Sequence, residues 1–308
     1  MLRIYKKSIY KDVKWILILI VFNFIVSLIL FTTFNSNSHF AINYNPDFNV
    51  NPILKDKLNL NQKLKQDQSL EHLSFEYQKL LLPRIAILTL SKLQQSYTHL
   101  SLSNKFEYAQ QHNYDLIVHY SAATKDINLP VWYNLDMIED TIKKKQYEWI
   151  WWIDFDSLIT NKEIKLETII AEALNMTTKE HAQNIDMILT VDCNGLNIGS
   201  MIFRSTPLLI PFLETVRQCI KNTLQHQQIC IQDLLNMHIS SELKVNNRYI
   251  RIPQWKINAY PKEILCYDEK EMSWQNGMFV VHFPGAWAYV DGNDPVGQLM
   301  ETYQKFIV

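Results

Sequence analysis

Residues 147–161, YEWIWWIDFDSLITN, constrain this chain more than any other stretch. They form a block of aromatic and β-branched residues that ends in two acids, Asp154 and Asp156. Such a block predicts a buried strand. Strand side chains repeat every two residues, so both acids are expected on one side, where the strand leaves the core. Two carboxylates at the carboxyl end of a buried strand in an α/β sheet make a ligand or metal site. A polar strand end running into a turn is the plainer reading of the same D-x-D spacing.

The flanking sequence predicts the sheet around this strand. Residues 84–90 (RIAILTL) and 114–120 (YDLIVHY) read as strands. Between them, 103–112 reads as a helix capped by Ser103. Pro130 opens a second helix over 131–145, with Trp132, Leu135, Ile138 and Ile142 on one face. Strand, helix, strand, helix, strand is the pattern of a parallel sheet with crossover helices, half of a doubly wound nucleotide-binding fold. With 47% hydrophobic and 20% charged residues, the composition supports a packed core.

Further on, helices are expected over 163–174, 207–224 and 230–239, and strands over 185–191, 198–204 and 278–283. Gly195 and Gly199 stand out in a chain with six glycines, and predict a turn and a close backbone approach. His282 closes the last strand as Asp156 closes the third. Two carboxylates with one imidazole suit Mn²⁺ or Mg²⁺ better than structural zinc, although a lone histidine of this kind is more often a satisfied core residue.

Residues 1–14 carry five bases and one acid and precede WILILIVFNFIVSLILF, an uncharged run from Trp15 to Phe31. Extended to residue 34, it spans about 27–30 Å as a helix, enough for a thin membrane. All the flanking positive charge lies before it, which predicts a cytoplasmic tail (1–14), a transmembrane signal anchor (15–34), a stem (35–82) and a lumenal domain (83–308). A cleaved signal peptide is the other reading, but no A-x-A-like site closes the run. In an oxidising lumen the four cysteines would pair, and the sequence leaves three pairings open. Asn175 opens the one N-x-T/S acceptor. A formal net charge of −1 argues against nucleic acid as a partner.

An ordered set of motifs extends the D-x-D pattern: EWIWWIDFD (148–156), LNIGSMIFR (196–204), PQ (253–254) with NAYP (258–261), and VHFPG (281–285). Asn104, Lys105, Tyr108, Ala109, His112 and Tyr114 fit the same pattern upstream. Over residues 84–287 the chain resembles glycosyltransferase family 34, the galactosyl/mannosyltransferase group of fungal Golgi enzymes and plant xylosyltransferases. The resemblance implies a GT-A fold with a mostly parallel, Rossmann-like sheet, and a retaining transferase using Mn²⁺ (or Mg²⁺) and a nucleotide sugar. It also implies a type II Golgi membrane protein.

Carried over by the resemblance, Asp156 and His282 ligate the metal, and Asp154 reaches the metal, its water or the nucleotide ribose. Gly285 lets backbone amides near the diphosphate, and Thr89 and Leu90 lie near the base. Tyr108, Asn197 and Gly199 join the donor-binding set, with Ser200 a further sugar-hydroxyl contact. Gln232 corresponds to the residue on the β face of the donor sugar. Asp192 and Asp233 are the candidate acids for a covalent route; the solvated first turn of a helix is the plainer role for Gln232 and Asp233.

The chain departs from the family pattern at Asn134, Ile231, Met278, Ala286 and Trp287. The expected reaction is transfer of mannose from GDP-mannose, in α linkage, to a glycan acceptor (N-glycan or mannan). An α-galactosyltransferase using UDP-galactose, or a non-catalytic subunit bound to other transferases, is the alternative. A metal-dependent hydrolase would need a general base near the acids, and the sequence offers no obvious histidine for it.

Overall fold

The computed structural model describes residues 83–92, 95–121, 133–223, 226–236 and 248–308. The expected tail, anchor and stem lie outside the described residues, as do Trp132 and Leu224. Among the described residues no helix is long and apolar enough to cross a membrane.

The first half follows the expected pattern: β1 (Ile85–Lys92), α1 (Thr98–His112), β2 (Asp115–Ser121), α2 (Tyr133–Lys144) and β3 (Trp149–Ile153). β1 lies between β2 and β3 and is parallel to both. Alternation along the strands sorts the apolar residues into two cores. Ile85, Ile87, Trp149, Trp151 and Ile153 face α1 through Tyr108 and Ala109. Ala86, Leu88, Ile150 and Trp152 face α2 through Leu135, Ile138 and Ile142. Each fully buried Leu or Ile contributes about 1.5–3 kcal/mol, so the sheet must be covered on both sides. α1 begins five residues before the expected cap. Ser103 lies within it and donates its hydroxyl to the His99 carbonyl at 2.7 Å, while Leu100 and Leu102 pack on a third core.

The second half departs from a parallel sheet. α3 (Leu166–Asn175) and the short α4 (Lys179–Ala182) lead into the hairpin of β5 (Met187–Asp192) and β6 (Gly195–Arg204). Gly195, at φ +101°, takes a conformation that L side chains rarely adopt. α5 (Ile210–Thr223) and α6 (Gln227–Asn236) follow, and β7 (Tyr249–Arg251) pairs parallel to β5 at the edge. The sheet order is β2-β1-β3-β6-β5-β7, with β6 antiparallel to both neighbours and the other pairings parallel. The inversion matters for the site: Ser200 pairs with Ile153, which brings the start of β6 beside the carboxyl end of β3.

The single strand expected over 147–161 is two strands. β3 ends at Ile153, and β4 (Ser157–Ile159) belongs to a separate two-stranded sheet with β8 (Val280–His282), in which Ser157 pairs with His282. Asp154 and Asp156 occupy the link between the two sheets rather than one face of one strand. The last strand is three residues long and lies outside the central sheet. α7 (Pro295–Tyr303), capped by Asp294 on the Gly297 N–H, packs on this smaller sheet through Leu299, Met300 and Tyr303.

Both cysteine pairs are disulfides. Cys193–Cys266 ties the β5–β6 turn to the segment that follows Tyr260, and Cys219–Cys230 ties α5 to α6.

Candidate active site

Asp154, Asp156 and His282 meet where the two sheets join. Their ligand atoms lie within 4.8 Å of one another. His282 Nε2 is 3.4 Å from Asp156 Oδ1 and 3.8 Å from Asp154 Oδ2. The imidazole is 3% exposed and the carboxylates are 37% and 27% exposed, so a buried base faces two acids that open to solvent. Trp152 Nε1 donates to Asp154 Oδ1 at 2.9 Å, and the Asp154 N–H donates to the Gly199 carbonyl at 2.7 Å. Across the small sheet, the Phe283 N–H donates to the Asp156 carbonyl.

Gly199 is the close approach that the sequence predicts. A Cβ there would sit 2.2 Å from His282 Cε1 and 3.0 Å from Asp154 Oδ2. The site forms only because β6 carries no side chain at this point.

Burial pushes the Asp154 carboxyl up to about 6, against the pull of His282. Partial desolvation acts on Asp156 in the same direction, but the imidazole beside it outweighs that effect and holds its carboxyl below the ordinary value. Burial lowers His282, and the two carboxylates more than reverse this, so the ring is raised.

The donor set fits a divalent cation. His282 Nε2 is shielded from solvent and has no hydrogen-bond partner. A buried polar atom left unsatisfied costs about 1–3 kcal/mol. Two carboxylate oxygens beside one bare imidazole nitrogen suit Mn²⁺ or Mg²⁺. Among the described residues a second cluster of ligand-type residues, Asp192 with Cys193 and Cys266, has both sulfurs in a disulfide and offers no thiolate.

Several expected donor contacts are committed elsewhere. Asn197 Oδ1 accepts from the Gly199 N–H and from Asn258 Nδ2, both at 2.8 Å. Its Nδ2 donates to Asp192 Oδ2 and to the Tyr260 hydroxyl. All four hydrogen-bonding positions of the amide are used, so Asn197 orders the site rather than gripping a sugar. Asp192 accepts from Asn197, from the Tyr260 hydroxyl and from the Asn194 N–H, which ties up both oxygens of this candidate acid.

Ser200 is buried and accepts from Trp151 Nε1. Tyr108 is fully buried among Tyr114, Trp151 and Phe279, and donates to the Ile164 carbonyl; it is a core residue and not a donor contact. Thr89 is likewise fully buried, with no surface to present to a base. Gly285 is exposed, three residues past His282, at φ +59°. Gln232 and Asp233 are half-buried in the second turn of α6, not its first, with Ile231 and Leu234 in the core beside Leu196 of β6.

Three residues without an assigned role in the sequence support the site. Asn258 and Tyr260 belong to the NAYP motif, which was the available signal. Lys105 is fully buried on α1, where Nζ donates to the Ser101 hydroxyl at 2.8 Å and the Ser157 carbonyl at 2.9 Å. Burial lowers its pKa to about 7, against the pull of Asp156 and Asp154.

Among solved structures, the chain is similar to a glycosyltransferase involved in the glycosylation of the major capsid of PBCV-1. The match has a TM-score of 0.52 at 16% identity, and covers 71% of this chain and all of that one. The fold is therefore that of a glycosyltransferase. Residues 81–291 match the model of the galactosyl transferase GMA12/MNN10 family, and the chain belongs to that family. It is 28% identical over 241 residues to the probable alpha-1,2-galactosyltransferase gmh2 of Schizosaccharomyces pombe, covering 67% of this chain and 63% of the relative. It is 24% identical to the probable alpha-1,6-mannosyltransferase MNN10 of Saccharomyces cerevisiae, covering 53% of this chain and 47% of the relative. The chain thus spans less than two thirds of the length of these curated relatives.

Proposed function

We propose that the chain is a retaining, metal-dependent hexosyltransferase that moves a sugar from a nucleotide diphosphate onto a glycan in α linkage. The observation that carries this reading is the orphaned, buried Nε2 of His282 aimed at Asp154 and Asp156.

Asp156 and His282, with Asp154, would hold Mn²⁺ or Mg²⁺. A divalent cation there neutralises the charge that develops on a departing diphosphate. The remaining work falls to the protein. Gly199 keeps the approach to the cluster open, and Gly285 leaves room for backbone near the phosphates. Asp192 is held by three donors, which weakens it as a nucleophile and favours the front-face route over a covalent one. In that route the bond from sugar carbon to phosphate oxygen breaks, the acceptor oxygen bonds to the same face, and its proton passes to the leaving phosphate. Gln232 is the proposed stabiliser of the positive sugar centre, with Asp233 beside it.

GDP-mannose is the donor expected from the sequence. The relatives favour UDP-galactose as a second reading, because the probable alpha-1,2-galactosyltransferases gmh2 and gmh1 are matched at higher identity and coverage than the mannosyltransferase. The acceptor is a mannose-rich N-glycan or mannan. We place the chain in the Golgi membrane as a type II protein, with 15–34 as anchor, 35–82 as stem and 83–308 lumenal. Two disulfides in the described domain and an exposed Asn175 suit an oxidising, glycosylating compartment. Association with other transferase subunits belongs to the same proposal.

The test is incubation of the purified chain with Mn²⁺, an α-mannoside acceptor and a panel of nucleotide sugars. Transfer from one donor, lost on Asp156→Ala, is expected. Absence of any metal-linked nucleotide binding would favour a non-catalytic subunit, and release of free sugar to water would favour a hydrolase.

A further inference from the structure

Gly199 N–H can only donate, so the Asn197 atom facing it at 2.8 Å is Oδ1. The other end of that amide is then Nδ2, which suits its partners: the acceptor-only Asp192 Oδ2 at 2.8 Å and the Tyr260 hydroxyl at 2.5 Å. The Asn258 atom that lies 2.8 Å from Asn197 Oδ1 must in turn be a donor, Nδ2. The second proton of that amine goes to Thr190 Oγ1 at 3.1 Å. Asn258 Oδ1 is left facing His282 Nδ1 at 2.8 Å, where it can only accept.

A backbone N–H three links away therefore dictates which ring nitrogen carries the proton. We propose that Asn258, held by Thr190 and by an Asn197 that Asp192 in turn fixes, sets the tautomer of His282, keeping the proton on Nδ1 and Nε2 bare. The alternative tautomer has its own attraction. An Nε2–H would point at Asp156 Oδ1, 3.4 Å away, and would donate to a charged acceptor. It would also block the nitrogen that a cation needs. A fully buried Asn258 and a 2%-exposed His282 leave no water to replace the missing acceptor at Nδ1, so the network decides the competition. Two ties hold its far end. The Tyr260 hydroxyl donates to Asp192 Oδ2 at 2.8 Å, and Cys193–Cys266 clamps the turn beside Asp192.

Asn258, Asn197 and Asp192 are thus positioning residues, a role that rests on the metal-site reading above for its purpose but not for its geometry. Outer hydrogen-bond partners of metal-binding histidines carry about 10–100-fold in metal affinity.

The test uses the full chain with ¹⁵N-labelled histidine, free of metal, at a pH where the ring is neutral. The His282 resonances are assigned by their loss in His282→Gln. The expected spectrum has a protonated Nδ1 and a bare Nε2. Asn258→Ala is expected to move the ring towards Nε2–H and to weaken Mn²⁺ binding, followed by paramagnetic resonance, by about 10–100-fold. Asn258→Asp keeps the acceptor at Nδ1 but loses the donor to Asn197 Oδ1, so it is expected to restore the Nδ1–H tautomer and only part of the affinity. An Nε2–H ring in the unmodified chain overturns the proposal outright, even if Asn258→Ala fails to fold. So does equal loss of affinity in both variants with the tautomer unchanged. A wild-type ring protonated at Nδ1 in a chain that binds no Mn²⁺ supports the tautomer assignment and overturns the metal reading instead.

Discussion

Gly199 and His282 approach so closely that a single methyl group cannot fit between them: a Cβ on Gly199 would lie 2.2 Å from the ring. The atom it would strike belongs to a ring fixed by the Asn258 hydrogen bond and by burial, so it cannot swing away cheaply. Gly199→Ala is expected to displace His282 from Asp156, at about 1–3 kcal/mol of stability, as other overpacked cores show. Mn²⁺ affinity should fall by about tenfold or more, since misplacing a ligand costs at least as much as losing its outer support. Metal titration beside a denaturant melt measures both. Unchanged metal affinity in a folded Gly199→Ala chain would refute the site geometry.

Removing a ligand should cost more than disturbing its support. Asp156→Ala is expected to lower Mn²⁺ affinity beyond the roughly 10–100-fold of an outer change, and to abolish the shift in melting temperature that donor and Mn²⁺ together produce. Asp154→Asn should weaken binding less, because the amide keeps one acceptor oxygen.

The titration of the cluster predicts two opposite trends with pH. Metal binding needs Asp154 ionised and His282 neutral. His282 is raised above 6.5 and Asp154 titrates near 6, so affinity should begin to fall while pH is still above 6.5, as His282 protonates, and more steeply below about 6 once Asp154 protonates too, by about tenfold per unit for each proton that must leave. Without metal the sign for Asp154 reverses. Its folded pKa lies above the ordinary 3.8, so its contribution to stability is full below that value and is lost as pH rises towards about 6. Mn²⁺ titrations from pH 5 to 8, with metal-free unfolding from pH 3.5 to 6.5, test the pair; a flat affinity profile would exclude these groups as ligands.

Lys105 offers a test of the support beneath the acids. Lys105→Met keeps the buried stem but removes the donors to Ser101 and to the Ser157 carbonyl. Each group left unsatisfied costs about 1–3 kcal/mol. The expected destabilisation is about 2–4 kcal/mol, read from equilibrium unfolding; a change below about 0.5 kcal/mol would mean that Lys105 does not hold the loop.

The Cys219–Cys230 bond closes a short loop between α5 and α6 and should stabilise the fold by about 3 kcal/mol. Replacing both cysteines by serine is expected to lower the melting temperature and to raise hydrogen exchange first in α6, the helix that carries Gln232. Uniform exchange along the domain would argue against local anchoring.

Much of this arrangement is legible in one dimension. The apolar run before Asp154 and the alternation in β1 are local signals, and they locate strands, faces and the βαβαβ order. The D-x-D pair and His282 are legible as candidate ligands because each closes a buried apolar run. Tyr108 is different: an aromatic in a family motif reads as a ligand contact until Trp151 and Phe279 close around it. Asn197 and Ser200 look available in sequence because a polar side chain does not announce its partner. Their hydrogen bonds come from Trp151, Asp192 and Asn258, which lie 49, 5 and 61 positions away.

The sequence by itself determined the two-sided sheet, the acids at the end of one buried strand and the histidine at the end of another, because burial and strand period act on neighbouring residues. Only the tertiary structure decided that the 147–161 run breaks into two sheets, that β6 inverts to bring Gly199 beside Asp154, and that Asn258 holds the His282 ring. Each of those depends on strand pairing or side-chain contact between distant segments. Alternation tells a strand which way its side chains point; it carries no information about the strand that will lie beside it.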